Sequence, residues 1–120
     1  MIVMITLVNL TPHNINIIGE TGSTIIHTSG IIARVNMIVS TIDTVAQYIT
    51  KRNYEKEVGV PMFKTVYGEV TNLPEEVRDT LYIVSGMVQT AAKDRTDLVV
   101  PANLVRDDKG MVVGCTGLSF

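Results

Sequence analysis

The chain has 120 residues, of which 46% are hydrophobic and 18% are charged, so a packed fold is expected and intrinsic disorder is excluded. Its net charge of −2 argues against the broad positive surface that drives non-specific binding to DNA or RNA. The single cysteine cannot form an intramolecular disulfide, which favours a reducing compartment such as the cytoplasm. The apolar start of the chain is too short to cross a bilayer, so no membrane partner is expected. Because the chain shows no repeat or linker, we predict a single domain, residues 1–120.

The first part of the chain predicts three short strands. Residues 2–8 are rich in Ile, Val and Thr, which suit a pleated surface, and Pro12 then forces a turn. Ile15–Ile18 and Thr24–Thr28 flank a glycine-containing connection of hairpin length. No Gly-Lys-Ser/Thr follows these glycines, so a hairpin turn is favoured over a phosphate-binding loop.

The middle of the chain predicts further strands, with one ambiguous segment. From Ile32 the apolar residues alternate, which predicts a half-buried strand with one apolar face: Ala33, Val35, Met37 and Val39. Residues 42–56 are compatible with a continued strand or with a helix, and the strand is favoured. The mixed charges of residues 51–57 predict a solvated turn that ends at Gly59 and Pro61, and residues 62–70 predict another strand.

The C-terminal third carries the clearest pattern. Pro74–Asp79 predicts one short helical turn, because proline and acidic residues suit the start of a helix. Tyr82–Val84 predicts a strand, Ser85–Lys93 a helix capped by the Ser85 hydroxyl, and the remaining residues a strand followed by a hairpin. The fold class expected is therefore α+β: a mainly antiparallel β-sheet with one or two short helices. The absence of tryptophan and a mean hydropathy of +0.28 favour a homo-oligomer, a dimer or higher.

The sequence shows no catalytic constellation. His13 and His27 are isolated, and neither Cys-x-x-Cys nor His-x-x-x-His spacing occurs, so no metal or other cofactor is expected. The apolar neighbours of Cys115 predict a buried and unreactive thiol. The protein is therefore not expected to be an enzyme.

Other residues suit the binding of a phosphate and a base. Amides at the start of the helix after Ser85 can receive an anion, although simple capping is the favoured explanation of this serine, because every capped helix has such amides. Guanidinium groups bind phosphate oxygens, an amide pairs with a base edge, and tyrosines stack on bases. The alternative, which is favoured for any one arginine taken by itself, is that Arg95 pairs with Asp97 or Asp94 and Arg106 with Asp107. The candidate ligand-binding residues are Arg34, Tyr67, Tyr82, Ser85, Arg95, Asn103 and Arg106.

Three blocks of sequence carry a resemblance to a family of small bacterial and phage proteins. They are Asn9-Leu10-Thr11-Pro12-His13, then Tyr67-Gly68-Glu69-Val70 followed by Leu73-Pro74, and finally Tyr82-Ile83-Val84-Ser85 with Asp97-Leu98, Pro101, Val105-Arg106-Asp107, Gly110 and Gly114-Cys115. Within this group the chain resembles the phage anti-Thoeris sponge proteins. Members of the group commonly read Pro-Gly-x-Pro-Val-Arg-Asp where this chain has residues 101–107, so the turn before Arg106 is expected to differ.

The resemblance implies a function in the cytoplasm of a bacterial host cell. Sponge proteins bind the cyclic ADP-ribose isomer made by Thoeris TIR enzymes, glycocyclic ADP-ribose, and withhold it from its effector without cleaving it. The implied partner is thus a cyclic ADP-ribose-type nucleotide, with Arg34, Arg95 and Arg106 near the phosphates. Asn103 and Tyr67 or Tyr82 would lie near the base, with the Ser85 helix start assisting. The alternative is a small phage structural or protein-interaction module without a nucleotide ligand.

Overall fold

The structure is a computed structural model that describes the backbone of residues 4–50 and 55–120 and the side chains of residues 4–42 and 59–120. Strands dominate it, which confirms the β-rich α+β class. The strands are β1 (Thr6–Asn9), β2 (Ile15–Gly19), β3 (Gly22–Ile26), β4 (Arg34–Thr50), β5 (Glu55–Thr71), β6 (Thr80–Ile83), β7 (Leu98–Arg106) and β8 (Val112–Ser119), and the helix is α1 (Gly86–Ala91).

Six of the strands form one mixed sheet in the order β1-β6-β7-β8-β2-β3. The β7–β8 and β2–β3 pairs are antiparallel, as the sequence predicted for hairpins. The β1–β6, β6–β7 and β2–β8 pairs are parallel, and the sequence did not predict them. The C-terminal strands β6, β7 and β8 therefore form the middle of the sheet, with N-terminal strands on both sides.

The core lies on both faces of the central strands. Tyr82 and Leu98 join one buried cluster, whereas their neighbours Ile83 and Val99 join the other. Successive strand residues point to opposite faces, so both faces of β6 and β7 are covered. Parallel strands buried on both sides typically show such continuous apolar runs.

Helix α1 covers one of these faces. Ser85 is its N-cap and accepts a hydrogen bond from the Val88 amide at 3.3 Å, as predicted, and Val88 is buried in the first cluster. The helix ends at Ala91 instead of Lys93, because Ala92 leaves the helical region with φ −95° and ψ 60°. No helix in the described part of the chain is long and apolar enough to span a bilayer.

The helical turn predicted for Pro74–Asp79 is wrong. Residues 73–77 have no regular structure, and Asp79 has a positive φ of 56° that ends any right-handed turn. The Glu75 carbonyl accepts a hydrogen bond from the Tyr82 hydroxyl at 3.1 Å, which replaces the helical partner that it would need. A tertiary hydrogen bond thus outweighs the favourable start of this segment.

The N-terminal predictions hold with shifted boundaries. The first strand begins at Thr6 instead of residue 2, and the part of the prediction on residues 1–3 lies outside the described residues. The β2–β3 hairpin is confirmed, with Gly19 paired to Gly22 across a two-residue turn. The strand predicted to reach Thr28 ends at Ile26.

The strands β4 and β5 pair with each other in a separate two-stranded sheet, here called the ribbon. The chain divides into two compact units, Met1–Val35 with Glu69–Phe120 and Asn36–Gly68, and the second unit contains most of the ribbon. The ambiguous segment 42–56 is strand as far as Thr50 and again from Glu55. The turn predicted for residues 51–57 is wrong for residues 55–57, which belong to β5, and its residues 51–54 lie outside the described residues.

Two details of the ribbon correct the sequence prediction. Gly59 and Pro61 do not end a turn but lie within β5, where proline is tolerated because β4 is the only strand paired with β5 among the described residues. The predicted apolar face holds for Ala33, which is buried, and for Val35, which packs against the first cluster, but it is wrong for Met37 and Val39, which are exposed.

Candidate functional site

Two of the predicted binding residues, Tyr82 and Arg95, lie together beside an acidic partner. The Arg95 Nε and Nη2 atoms donate to the two carboxylate oxygens of Asp97 at 2.9 and 2.8 Å. The Arg95 guanidinium also lies 3.5 Å from Glu76 and 6.0 Å from the centre of the Tyr82 ring. Tyr82 itself is buried, and its hydroxyl donates to a backbone carbonyl.

The Arg95–Asp97 pair is stabilised in its charged form. The hydrogen bond to Asp97 raises the pKa of Arg95, and the same bond lowers the pKa of the Asp97 carboxyl, against the opposing effect of burial. The alternative pairing considered from the sequence is therefore what the structure contains. A phosphate bound at Arg95 would have to compete with a bidentate carboxylate.

The other predicted residues lie on separate elements. Ser85 caps α1. Arg106, at the end of β7, donates from Nη1 to the Gly110 carbonyl at 2.9 Å across the β7–β8 turn, instead of pairing with Asp107. Arg34 begins β4 and is exposed, and Tyr67 lies in β5, within the second unit, with 45% of its surface exposed. The involvement of these residues in binding stays a prediction.

A cavity of about 360 Å³ opens in the first unit, at a position that the sequence prediction missed. It is formed by the segment that enters β2, by the middle of β7 and by the start of β8. Its lining residues are His13, Asn14, Ile15, Asn16, Pro101, Leu104, Val112, Val113, Gly114 and Cys115.

Hydrogen bonds within the Asn9–His13 motif fix the segment that leads into β2 and lines the cavity. Asn9 is 1% exposed, and its Nδ2 donates to the His13 carbonyl at 2.8 Å and to the Ile26 carbonyl at 3.1 Å. Its Oδ1 accepts from the Thr11 amide at 2.9 Å and from the Thr11 hydroxyl at 2.7 Å. All the strong hydrogen-bonding positions of this side chain are thus used within the chain, so the motif positions His13 and the residues that follow.

The backbone of Asn103 shapes the opposite wall. Asn103 has a φ of 56°, a left-handed conformation inside a strand, while its neighbours Ala102 and Leu104 keep the ladder to Gly117 and Cys115. In a regular strand, residues separated by three positions point to opposite faces. The left-handed residue interrupts this alternation, and Pro101 and Leu104 both line the cavity as a result.

A glycine allows the other strands of the wall to approach closely. A Cβ atom on Gly114 would lie 2.7 Å from the Asn16 carbonyl oxygen and 2.8 Å from Ile18 Cδ1. Only glycine fits this contact between β8 and β2 without a shift of the backbone. Cys115 beside it is 1% exposed, which confirms that the thiol is buried.

The polar groups of the cavity are uncharged amides and an imidazole. The Asn14 Oδ1 accepts from the Thr28 amide at 2.9 Å. The Asn16 Nδ2 donates to the Val113 carbonyl over a long 3.4 Å, whereas the Asn16 Oδ1 is buried and has no partner among the described residues. None of the lining residues in this part of the chain is Lys, Arg, Asp or Glu.

The cavity lining combines apolar side chains with a few hydrogen-bonding groups. Aliphatic side chains form much of the wall, and the Asn16 amide lies beside them with its oxygen buried and unpaired among the described residues. Within residues 4–42 and 59–120, no group of three or more His, Cys, Asp or Glu side chains lies close enough to share a metal ion. The sequence prediction missed this site, because a polar residue such as Asn16 between the apolar Ile15 and Ile17 is ordinary in a strand.

Comparisons of the chain with models of protein families, with curated proteins and with solved structures found no match.

Proposed function

We propose that this protein binds a cyclic ADP-ribose-type nucleotide, glycocyclic ADP-ribose made by Thoeris TIR enzymes, and withholds it without cleaving it. The observation that carries the proposal is the cavity in the first unit, whose aliphatic walls are joined by the side chain of Asn16, an amide with a buried oxygen that has no partner among the described residues. The resemblance of the three sequence blocks to phage anti-Thoeris sponge proteins supplies the ligand class. The site of action would be the cytoplasm of the bacterial host.

The size and lining of the cavity support the binding of part of a nucleotide. Small-molecule sites commonly enclose about 300–1,000 Å³, and 360 Å³ lies at the lower end of that range. A nucleobase fits such a volume, whereas the complete cyclic ADP-ribose-type nucleotide would extend beyond it. The base therefore occupies the cavity in our proposal, and the ribose and phosphate groups lie at its opening.

The phosphates would be bound by cations outside the cavity wall. Arg106 is exposed and uses one of its five N–H groups for the Gly110 carbonyl, so further donors remain on the same guanidinium. Arg34 is exposed at the start of β4. Arg95 would contribute only if a phosphate displaced Asp97, which makes Arg106 and Arg34 the better candidates.

The experiment that tests this proposal is calorimetric titration with glycocyclic ADP-ribose. We expect binding with a stoichiometry of one site per cavity and recovery of the intact ligand after heat denaturation of the complex. Leu104→Trp, which fills the cavity from a side chain that is 52% exposed, should weaken binding by about 10-fold or more, since the base would clash with the indole. Ile25→Trp is the matched control, because Ile25 is 53% exposed and does not line the cavity.

Two results would contradict the proposal. The first is the absence of binding heat at micromolar concentrations of folded protein. The second is recovery of a hydrolysed ligand, which would indicate an enzyme instead of a sponge.

The exposed apolar surface of the ribbon favours a second property, homo-oligomerisation. Large apolar side chains are exposed at successive positions of both strands, so they occur on both faces of the ribbon. An isolated two-stranded sheet is at best marginally stable in water. We therefore propose that the ribbon is covered by a further copy of the chain. The exposed residues are Met37, Ile38, Val39, Ile42, Met62, Phe63, Val66 and Tyr67.

The ribbon also favours the alternative function, a phage structural or protein-interaction module. Ile38→Lys with Phe63→Lys should convert an oligomer into monomers in sedimentation experiments, while Ile25→Lys serves as the control. Under the alternative, these substitutions change assembly in a protein that never binds the nucleotide. Under the sponge proposal, the wild-type protein binds the nucleotide in the calorimetric titration, whatever these substitutions do to its assembly.

A further inference from the structure

Asn16 differs from the other asparagines whose side chains support this part of the fold. Asn9 is fully paired through both its Nδ2 and its Oδ1, and the Asn14 Oδ1 has a backbone partner. Within the described part of the chain, the Asn16 Oδ1 is buried without a partner, and one 3.4 Å bond joins its Nδ2 to the Val113 carbonyl. A buried and unpaired acceptor destabilises the folded state, so this side chain lacks a structural explanation.

We propose that Asn16 reads the N–H edge of an uncharged heteroaromatic ring that occupies the cavity. Turning the amide toward the cavity breaks a single long hydrogen bond, and a ring N–H can then donate to the oxygen that was unpaired. The ligand thus gains a hydrogen bond, and the folded protein satisfies a buried acceptor in the same step. The preference for one donor-bearing ring over another follows from this contact.

The lining of the cavity specifies the rest of the ring. Its walls are aliphatic, from Ile15, Pro101, Leu104 and Val112, which suits the faces of a flat ring. The lining residues in the described part of the chain include no lysine, arginine or carboxylate, so an anionic group would find only the His13 imidazole as a partner among them. A neutral base with an exocyclic amine satisfies these conditions, whereas most of a phosphate's surface would lie against aliphatic walls.

This inference depends on the proposed function only for the choice of a purine as the probe. Adenosine, N6-methyladenosine and N6,N6-dimethyladenosine carry two, one and no N–H groups on the exocyclic nitrogen. Titrated into ¹⁵N-labelled protein, adenosine should shift the amide signals of residues 13–16 and 112–115. N6-methyladenosine should bind nearly as well, and the dimethyl compound should bind about 10-fold or more weakly, because only the last has lost every exocyclic donor.

Asn16→Leu separates recognition from folding. The substitution keeps the size of the side chain and removes the unpaired oxygen, so adenosine and N6,N6-dimethyladenosine should bind this variant equally weakly. In the absence of ligand its Tm should rise by about 3–6 °C, since a buried acceptor without a partner is no longer present. A residue that lowers stability while improving binding has the signature of a functional group.

Several outcomes would overturn the inference. One is that the wild type fails to bind adenosine, or that it binds adenosine and N6,N6-dimethyladenosine equally well. Another is that binding is lost completely with N6-methyladenosine already. A lower Tm for Asn16→Leu than for the wild type would count against the inference in the same way. Binding of glycocyclic ADP-ribose that ignores Asn16→Leu would overturn the inference and leave the proposed function standing. Adenosine binding that depends on Asn16, without any binding of glycocyclic ADP-ribose, would overturn the proposed function and leave the inference standing.

Discussion

Replacement of Asp97 by asparagine tests whether the Arg95–Asp97 pair stabilises the fold. The side chains of Arg95 and Asp97 are 19% and 11% exposed, and two hydrogen bonds of 2.9 and 2.8 Å join them. Asp97→Asn leaves the guanidinium partly buried with Glu76 as its remaining acidic neighbour, 3.5 Å away and 57% exposed. The variant should therefore lose stability through an uncompensated charge.

The magnitude lies between two limits. Breaking a fully buried pair costs about 3–5 kcal/mol, and breaking an exposed pair costs about 0–1 kcal/mol. Because the Arg95–Asp97 pair is mostly buried and Glu76 compensates in part, we expect a loss of about 2–3 kcal/mol in the free energy of unfolding. Urea denaturation followed by circular dichroism at 25 °C measures this difference.

The matched control is Asp79→Asn. Asp79 lies 3.7 Å from Arg78, and these side chains are 66% and 95% exposed, so the control should change stability little. The asparagine also tolerates the positive φ at this position. If Asp97→Asn lost no more stability than Asp79→Asn, the reasoning from burial and bidentate geometry would be refuted.

The pH dependence of the same variant provides a second check. The pKa of Asp97 is lowered in the folded protein, mainly by its hydrogen bond with Arg95. A lowered pKa means that the stabilisation is complete above the unfolded value, about 3.9, and is lost as the pH falls through the folded value. The stability difference between wild type and Asp97→Asn should be constant from about pH 5 to 8 and should shrink below about pH 4.

Three further substitutions test the walls of the cavity. Gly114→Ala should lower the free energy of unfolding by about 1–3 kcal/mol, because its Cβ would lie 2.7 Å from a backbone oxygen. Gly117→Ala should lower it less, because its Cβ would have no atom within 4 Å, and thermal unfolding compares the two variants. Asn103→Val should lose about 1–2 kcal/mol because a β-branched residue resists a φ of 56°, and equal stability of Asn103→Val and Asn103→Gly would contradict this. Asn9→Ala should lose about 2–4 kcal/mol in urea denaturation, since four hydrogen bonds end at a buried amide, and an unchanged midpoint would show that the motif has another role.

Local patterns predicted the hairpins, the capped helix and the importance of the C-terminal third. Period-two alternation and turn residues act over a few neighbours, which is the range in which sequence alone is informative. The parallel partners of β6 were missed, because β1 and β6 are far apart in the chain and nothing in either segment specifies the other. The continuous apolar run Leu98–Val100 was the signal available, since it is typical of strands buried on both faces.

The candidate site was predictable only in part. The pairing of Arg95 with Asp97 was one of the alternatives that two-residue spacing allows. The cavity was not predictable, because it depends on a left-handed Asn103, and asparagine adopts ordinary strand geometry as well. The unpaired oxygen of Asn16 was likewise not predictable. Whether a strand asparagine finds a hydrogen-bond donor depends on residues that are distant in the chain.

The position of β8 has a consequence for the order of folding. It follows every other described strand in the chain, yet it lies between β7 and β2 in the middle of the sheet. Until β8 is in place, the β2–β3 hairpin has no sheet to join, and β1 must wait for β6 in the same way. Such distant pairings make folding slow, because a long loop must close before any contact compensates for the lost entropy. During synthesis the N-terminal hairpin would therefore expose its apolar face until the C-terminal strands emerge, and the cavity would form in the last step.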